Sequence, residues 1–291
     1  MTPAITAFVA DHTLFDLAAA RPVQRTSPTR HFPVLFLSDM HLGSRACRED
    51  ALHAFLTAHT ADTIYLVGDI IDTWTAVGSH WTDTQHAILS LLLDRARTGT
   101  RMVYTPGNHD AFFRKYCGQH IAGIEVVEHI THTSGDGTRY LVIHGDSADE
   151  FGEKYPLLAL LGAQLDVKFR GLIGLANRLR RRRGWADWTV AERAVKWVND
   201  VIRGLDNFDL RLSDLARAHG VDGVICGHFH KPDLHSEHGV AYANCGDWVE
   251  NGTALAETAS GRLLLLDWSR HGRETAVTGA HTGYGATAKG I

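Results

Sequence analysis

Short apolar runs recur along this chain, and five of them stop on an acid, an amide or an imidazole. Val34 to Leu37 leads through Ser38 to Asp39 and His41, and Ile64 to Val67 leads through Gly68 to Asp69. Met102 to Tyr104 leads to Gly107, Asn108, His109 and Asp110. Tyr140 to Ile143 leads to His144, Gly145 and Asp146, and Val221 to Cys226 leads through Gly227 to His228 and His230. An apolar run closed by Gly or Ser reads as a buried strand entering a loop. Helical spacing of apolar residues predicts helices over Arg48 to Thr60 and Trp81 to Thr98, which gives β-α-β units with right-handed crossovers. A hairpin is expected around Ser134 to Gly137, flanked by strands at Glu125 to Ile130 and Arg139 to Ile143.

Between His144 and His228 the pattern becomes wholly helical, with segments near 153–183, 187–203 and 206–219 and Gly220 closing the last. Strands return at Ala241 to Asn244, Thr253 to Glu257 and Arg262 to Trp268. The expected organisation is an N-terminal arm over 1–30, one domain over 31–270 with a helical insertion over 150–220, and a flexible tail over 271–291.

Ligands of open α/β sheets sit at the carboxyl ends of the strands, so the five polar termini can share one edge. They bring together oxygen and nitrogen donors of the kind that Mn²⁺, Fe²⁺ and Zn²⁺ accept. Burying so many carboxylates and imidazoles without a cation would carry a desolvation cost of several kcal/mol per charge. The pattern therefore points to a metal-dependent hydrolase. Asp39 and His41 alone are a weak signal, because alternate strand residues face the same way by default. The glycine-led Asn108-His109-Asp110 and His228/His230 groups are stronger, since glycine permits a sharp turn at the strand end.

Composition narrows this reading. A net charge of -4 argues against a general nucleic-acid binder. Cys47, Cys117, Cys226 and Cys245 show no C-x-x-C pairing, which fits a reducing compartment. Residues 1–20 lack a basic start and carry Asp11 and Asp16, so no secretory signal is read there and a cytoplasmic location is expected. In the insertion, Leu157, Leu158, Leu160, Leu161 and Leu165, then Leu172, Ile173, Leu175 and Leu179, form an apolar face. It is read either as packing against the core or as an acyl-chain groove or membrane-facing lid. Lys168, Arg170, Arg178 and Arg180 to Arg183 follow with no acid among them. They suit a nucleotide phosphate or the anionic inner face of the plasma membrane, or else helix termination. Arg114 and Lys115 are candidates to hold a diphosphate, and Trp74 to line the pocket mouth.

Taken in order, these motifs resemble the signature of the calcineurin-like metallophosphoesterases over roughly residues 34–250. The resemblance implies a four-layer αββα sandwich of two mixed sheets. It implies Asp39, His41, Asp69 and His230 as ligands of one divalent ion, and Asp69, Asn108, His144 and His228 as ligands of another, with Mn²⁺ the leading choice. His109 would contact the substrate phosphate and assist the leaving group, with Asp110 as its hydrogen-bonding partner. Such a pair of ions activates water for in-line attack on phosphorus. Residues Gly68 to Trp74 and the insertion look like the UDP-2,3-diacylglucosamine pyrophosphatase group of lipid A synthesis, whose products are UMP and an acylated sugar phosphate. Better-known members of that group carry Arg where this chain has His109, so it resembles the branch that keeps Gly-Asn-His-Asp, as does the stretch Asp247 to Glu250. Another nucleotide or phosphodiester substrate, and a non-catalytic metal-binding scaffold, are the alternatives.

Overall fold

The computed structural model describes residues 30–74, 80–148, 208–236, 238–268 and 275–277. The large sheet is built from β1 (Arg30–Leu37), β2 (His59–Val67), β3 (Arg101–Thr105), β4 (Gln119–Ile121), β5 (Ile124–Val126), β11 (Thr253–Glu257), β12 (Leu263–Asp267) and β13 (Thr275–Val277). Its strand order is β13-β12-β11-β1-β2-β3-β5-β4. The small sheet holds β6 (Ile130–Thr133), β7 (Arg139–Val142), β8 (Gly223–Cys226), β9 (Asp233–His235) and β10 (Ala241–Asn244), in the order β6-β7-β8-β10-β9. Both sheets are mixed. In the large one β1, β2, β3 and β5 run parallel and β11 antiparallel to β1; in the small one β7, β8 and β10 run parallel.

The continuous apolar runs are explained by burial on both faces. Along β1, Leu35 and Leu37 face one core while Val34 and Phe36 face the other. β2 repeats the division with Ile64 and Leu66 against Tyr65 and Val67, and β12 with Leu264 and Leu266 against Leu263 and Leu265. The period of two thus feeds two cores at once. One lies between the sheets, where Phe36 and Tyr65 meet Tyr140, Val142, Ile225 and Ala243. The other lies under α1 (Glu49–Ala58) and α2 (Asp83–Arg97), which present Leu52, Phe55 and Leu56, and Ile88 and Leu92, at helical spacing. Burying side chains of this size contributes roughly 1.5–3 kcal/mol each. The far face of the small sheet, with Leu141, Val224 and Tyr242, is buried as well, so this sheet too is covered on both sides.

Local chemistry sets the helix ends. Thr82 caps α2 by accepting the Gln85 N–H at 3.2 Å. Glu49 and Asp50 occupy the first turn of α1, where the helix dipole favours acids. The third helix, α3 (Phe208–Ala218), closes as expected at Gly220, whose φ is +63°. Gly220 N–H donates to the Arg217 carbonyl and Val221 N–H to that of Ala216, the paired bonds of a Schellman end.

One expected element divides differently. Glu125 to Ile130 is not a single strand: β5 pairs parallel with β3 in the large sheet, whereas β6 pairs antiparallel with β7 in the small one. The chain crosses between sheets at Val127 to His129, so only β6 and β7 form the hairpin around Ser134 to Gly137. Residues 146–212 form a second compact unit, in which Arg211 Nε donates to the Ala148 carbonyl at 2.6 Å. The first two expected insertion helices and residues 1–29 of the arm lie outside the described residues, and Arg30 belongs to β1; of the tail expected over 271–291, Thr275–Val277 is instead strand β13 paired with β12, and the rest lies outside the described residues.

Candidate metal centre

The ends of β1 and β2 are laced together by backbone hydrogen bonds. Asp39 N–H donates to the Gly68 carbonyl at 3.0 Å, His41 N–H to Asp69 at 2.9 Å and Leu42 N–H to Ile70 at 2.9 Å. On the small sheet, Gly227 N–H donates to the His144 carbonyl at 3.1 Å. His228 N–H reaches across to Asp39 Oδ2 at 3.0 Å and joins the two sheets at this edge. Space here is tight. A Cβ on Gly107 would lie 2.3 Å from Asp69 Oδ1, and one on Gly227 would lie 1.8 Å from Ser38 Oγ. Neither glycine has a left-handed φ, so its role is to make room for site side chains rather than to turn the chain.

Backbone strain concentrates at the same place. Among the described residues, the non-glycine positions with positive φ are Asp39 (51°), His41 (49°), Asp69 (53°), His228 (71°), His230 (53°) and Ala122 (53°). All but Ala122 are sequence-derived ligand candidates. The left-handed region costs an L-residue about 1–2 kcal/mol, and such strain persists only where the surrounding structure over-determines it.

Each central carboxylate is pinned by one oxygen. Asp39 Oδ2 accepts from Ser38 Oγ at 2.5 Å and from His228 N–H, and Asp69 Oδ1 accepts from His109 N–H at 2.8 Å. The other oxygen of each faces imidazoles. Asp39 Oδ1 lies 3.1 Å from His230 Nε2 and 3.8 Å from His41 Nε2; Asp69 Oδ2 lies 3.5 Å from His144 Nε2 and 3.9 Å from His41 Nε2. His41 Nε2 and His230 Nε2 face each other at 3.3 Å. His144 Nδ1 sits 3.0 Å from the Val67 carbonyl, which can only accept, so Nδ1 carries a proton and Nε2 is the nitrogen left to offer a lone pair to a cation.

Electrostatics match this crowding. Burial pushes the Asp39 carboxyl up, but the surrounding imidazoles, His230 first and then His41 and His144, together hold the group well below the usual carboxylate range. For Asp69 burial is likewise offset, by His144 together with His41 and His109, and the carboxyl is held below its ordinary value. Burial pushes His41 down, yet hydrogen bonding to Asp39 and Asp72 lifts it well above the ordinary histidine value. His230 is raised in the same way, chiefly by Asp39. The acids demand positive charge, and protons on imidazole supply it when no cation is bound.

His109 departs in one respect from expectation. Its Nδ1 lies 3.4 Å from Asp72 Oδ1, and Asp72 Oδ2 lies 3.8 Å from His41 Nδ1, so the imidazole's acidic neighbour is Asp72 and not Asp110. Fully buried Asp110 turns inward instead, accepting Gly107 N–H at 2.6 Å through Oδ1 and Ile70 N–H at 2.7 Å through Oδ2. It shapes the loops that carry Asp69 and Asn108. Trp74 stacks on the His109 ring at 3.8 Å between centroids and 20° between planes, and its Nε1–H donates to the Asn108 carbonyl at 3.1 Å. Asp72 went unselected in the sequence although it stands three residues after Asp69; the signal was a second acid on the same loop.

Arg114 and Lys115, the diphosphate candidates, both have contacts within the protein. Arg114 Nε pairs with Glu128 at 3.2 Å and Nη2 donates to the Pro106 carbonyl, while Lys115 Nζ sits 3.5 Å above the Phe112 ring centre. Protein partners engage both cations. Arg178 and Arg181 lie outside the described residues.

Among the described residues, three donor groups could hold an ion: Asp39, His41 and His230; His41, Asp69 and His109; and Asp39, Asp69 and His144, with ligand atoms in each set within 4.8 Å of one another. Asn108 adds a buried Oδ1 that makes no hydrogen bond, an orphan that a cation would satisfy. His228 is in none of these sets, although its ring lies 5.2 Å from that of His144. The hard and borderline donors suit divalent ions.

Residues 32–232 match the family described as calcineurin-like phosphoesterase. A UDP-2,3-diacylglucosamine hydrolase of Pseudomonas paraeruginosa is 31% identical over 243 residues, covering 78% of this chain and 96% of that protein. One of Vibrio atlanticus is 26% identical over 253 residues, covering 77% and 92%. Among solved structures, a Vps29 mutant from Entamoeba histolytica aligns at 14% identity and a TM-score of 0.44, over 84% of this chain and 98% of that one. Motif order, two mixed sheets with flanking helices, and acids and imidazoles converging at their edge accord with the family match: the chain belongs to the calcineurin-like phosphoesterase family and is a metal-dependent phosphohydrolase.

Proposed function

We propose that this enzyme holds two divalent ions, Mn²⁺ in preference to Fe²⁺ or Zn²⁺, and cleaves the diphosphate of a UDP-2,3-diacylglucosamine-like substrate into UMP and an acylated sugar phosphate. The observation that carries the reading is the paired carboxylates, each pinned through one oxygen and offering the other to imidazoles. Asp39, His41, Asp69 and His230 would hold one ion, and Asp69, Asn108, His144 and His228 the other. Ions held there would supply acidification of water and neutralisation of phosphoryl charge. His109, steadied by Asp72 and Trp74, donates a proton or hydrogen bond to the leaving oxygen. Asp110 keeps Gly107 and Ile70 in place beneath it.

The substrate class rests on relatives named UDP-2,3-diacylglucosamine hydrolase that this chain covers over most of their length. No described helix is long and apolar enough to cross a membrane. A lipid substrate would then be met at the membrane surface, with the basic, leucine-rich insertion as the peripheral contact on the cytoplasmic side. His109 supports a second reading, hydrolysis of another nucleotide or phosphodiester, because better-known members of the resembling group carry Arg there. A ³¹P NMR assay separates the two. UMP released from UDP-2,3-diacylglucosamine but not from unacylated UDP-sugars is expected; equal cleavage of both would overturn the lipid assignment.

A further inference from the structure

β10 leads through Cys245 into Gly246 and Asp247, the same glycine-acid step by which β2 leads into Gly68 and Asp69. We infer that the turn from Asp247 to Asn251 is a sixth loop of the metal centre, a buttress that positions His230 and Asp39 and thereby sets metal affinity. This rests on the metal-centre reading above.

The turn touches both ligand loops. Trp248 N–H donates to the Asp39 carbonyl at 3.0 Å, and Asn251 Nδ2 donates to the His230 carbonyl at 2.7 Å. Asp247 is fully buried and its Oδ1 lies 3.8 Å from His230 Nδ1, the nitrogen opposite the one that faces Asp39. The same oxygen accepts the Val249 N–H at 2.7 Å, and Oδ2 accepts from Asn251 Nδ2 at 2.5 Å. Arg48 clamps the turn from outside by donating through Nη1 to the Glu250 and Asn251 carbonyls at 3.3 and 3.1 Å. His230 is thus held at both ends: its main-chain carbonyl is tied by Asn251, and a carboxylate behind its ring favours the tautomer with the proton on Nδ1 and the lone pair on Nε2. That tautomer is the one a metal needs. A bare turn cap requires none of the contacts to His230 and Asp39.

Asp247→Asn tests this, because the amide keeps an acceptor oxygen for the Val249 and Glu250 N–H groups while removing both the charge behind His230 and the oxygen that accepts from Asn251 Nδ2. Chelator competition on metal-stripped and reloaded protein should show Mn²⁺ affinity lower by roughly 10- to 100-fold, with the metal-free unfolding midpoint little changed. Asn251→Ala, which retains Asp247, should weaken affinity in the same direction and serves if the first variant does not fold. Normal wild-type loading with unchanged affinity in both variants overturns the buttress alone. A wild-type chain that takes up no metal overturns the metal-centre reading and the buttress with it.

Discussion

Two of the buried polar clusters among the described residues are built on opposite principles. Between the sheets, His132 Nε2 meets Glu257 Oε2 at 2.5 Å, His132 Nδ1 meets the Tyr65 hydroxyl at 3.3 Å, and Glu257 Oε1 accepts Gly135 N–H at 2.8 Å. That cluster closes on itself. At the sheet edge, Asn108 Oδ1 has no hydrogen bond, two imidazole nitrogens confront each other and five backbone positions sit in the left-handed region. That cluster is completed by something from outside. A satisfied network stabilises and specifies the fold, whereas an incomplete, strained one marks the place where the fold is spent on chemistry.

The sharpest way to break this contrast is to remove one member from each cluster. Asp69→Asn should lower turnover by on the order of 10³-fold or more while costing the metal-free fold less than the loss at His132, because the amide keeps the oxygen that accepts the His109 N–H and gives up only the charge that the neighbouring imidazoles favour. His132→Ala should do the reverse, lowering stability by about 3–5 kcal/mol in denaturant melts and leaving kcat unchanged. Loss of stability in the first variant comparable to that in the second would erase the distinction. At the next level, His109→Ala should reduce kcat by roughly 10²–10⁴-fold. Asp72→Asn should cost roughly 10- to 100-fold through its hold on His109 and His41. Asp110→Asn should register mainly in stability, by about 1–3 kcal/mol; steady-state rates beside thermal melts separate the two acids.

Protonation gives a smaller effect of defined sign. His41 and His230 are raised in the metal-free fold, so their contribution is fully present below the ordinary histidine value near ~6.5 and is lost as pH rises through the raised values. Metal binding needs those imidazoles neutral and strengthens over the same interval. The thermal upshift on adding Mn²⁺ should therefore be larger at pH 8 than at pH 6. A shift that is equal or smaller at the higher pH contradicts the assignment of these histidines.

Much of this was legible in the sequence because the strands are buried on both faces. Leu35 and Leu37 serve one core and Val34 and Phe36 the other, so the run is uninterrupted and its polar terminus stands out. β11 and β10 were visible for the same reason. What escaped was geometry in loops. Asp110 follows His109 directly and invited pairing with it, yet adjacent residues point apart, and Asp72 reaches the imidazole from another loop. The division of Glu125 to Ile130 between two sheets leaves no mark on an apolar pattern that both sheets accept. The stretch Asp247 to Glu250 was visible as a resemblance, but its approach to His230 and its hydrogen bond to Asp39 are made through loop geometry.

Manganese anomalous diffraction on loaded crystals is the most direct measure of the central claim. Two peaks flanking the Asp69 carboxylate are predicted, one beside Asp39, His41 and His230 and the other beside Asn108 and His144. A folded, fully loaded crystal with a single peak, or with none at Asp69, would contradict it.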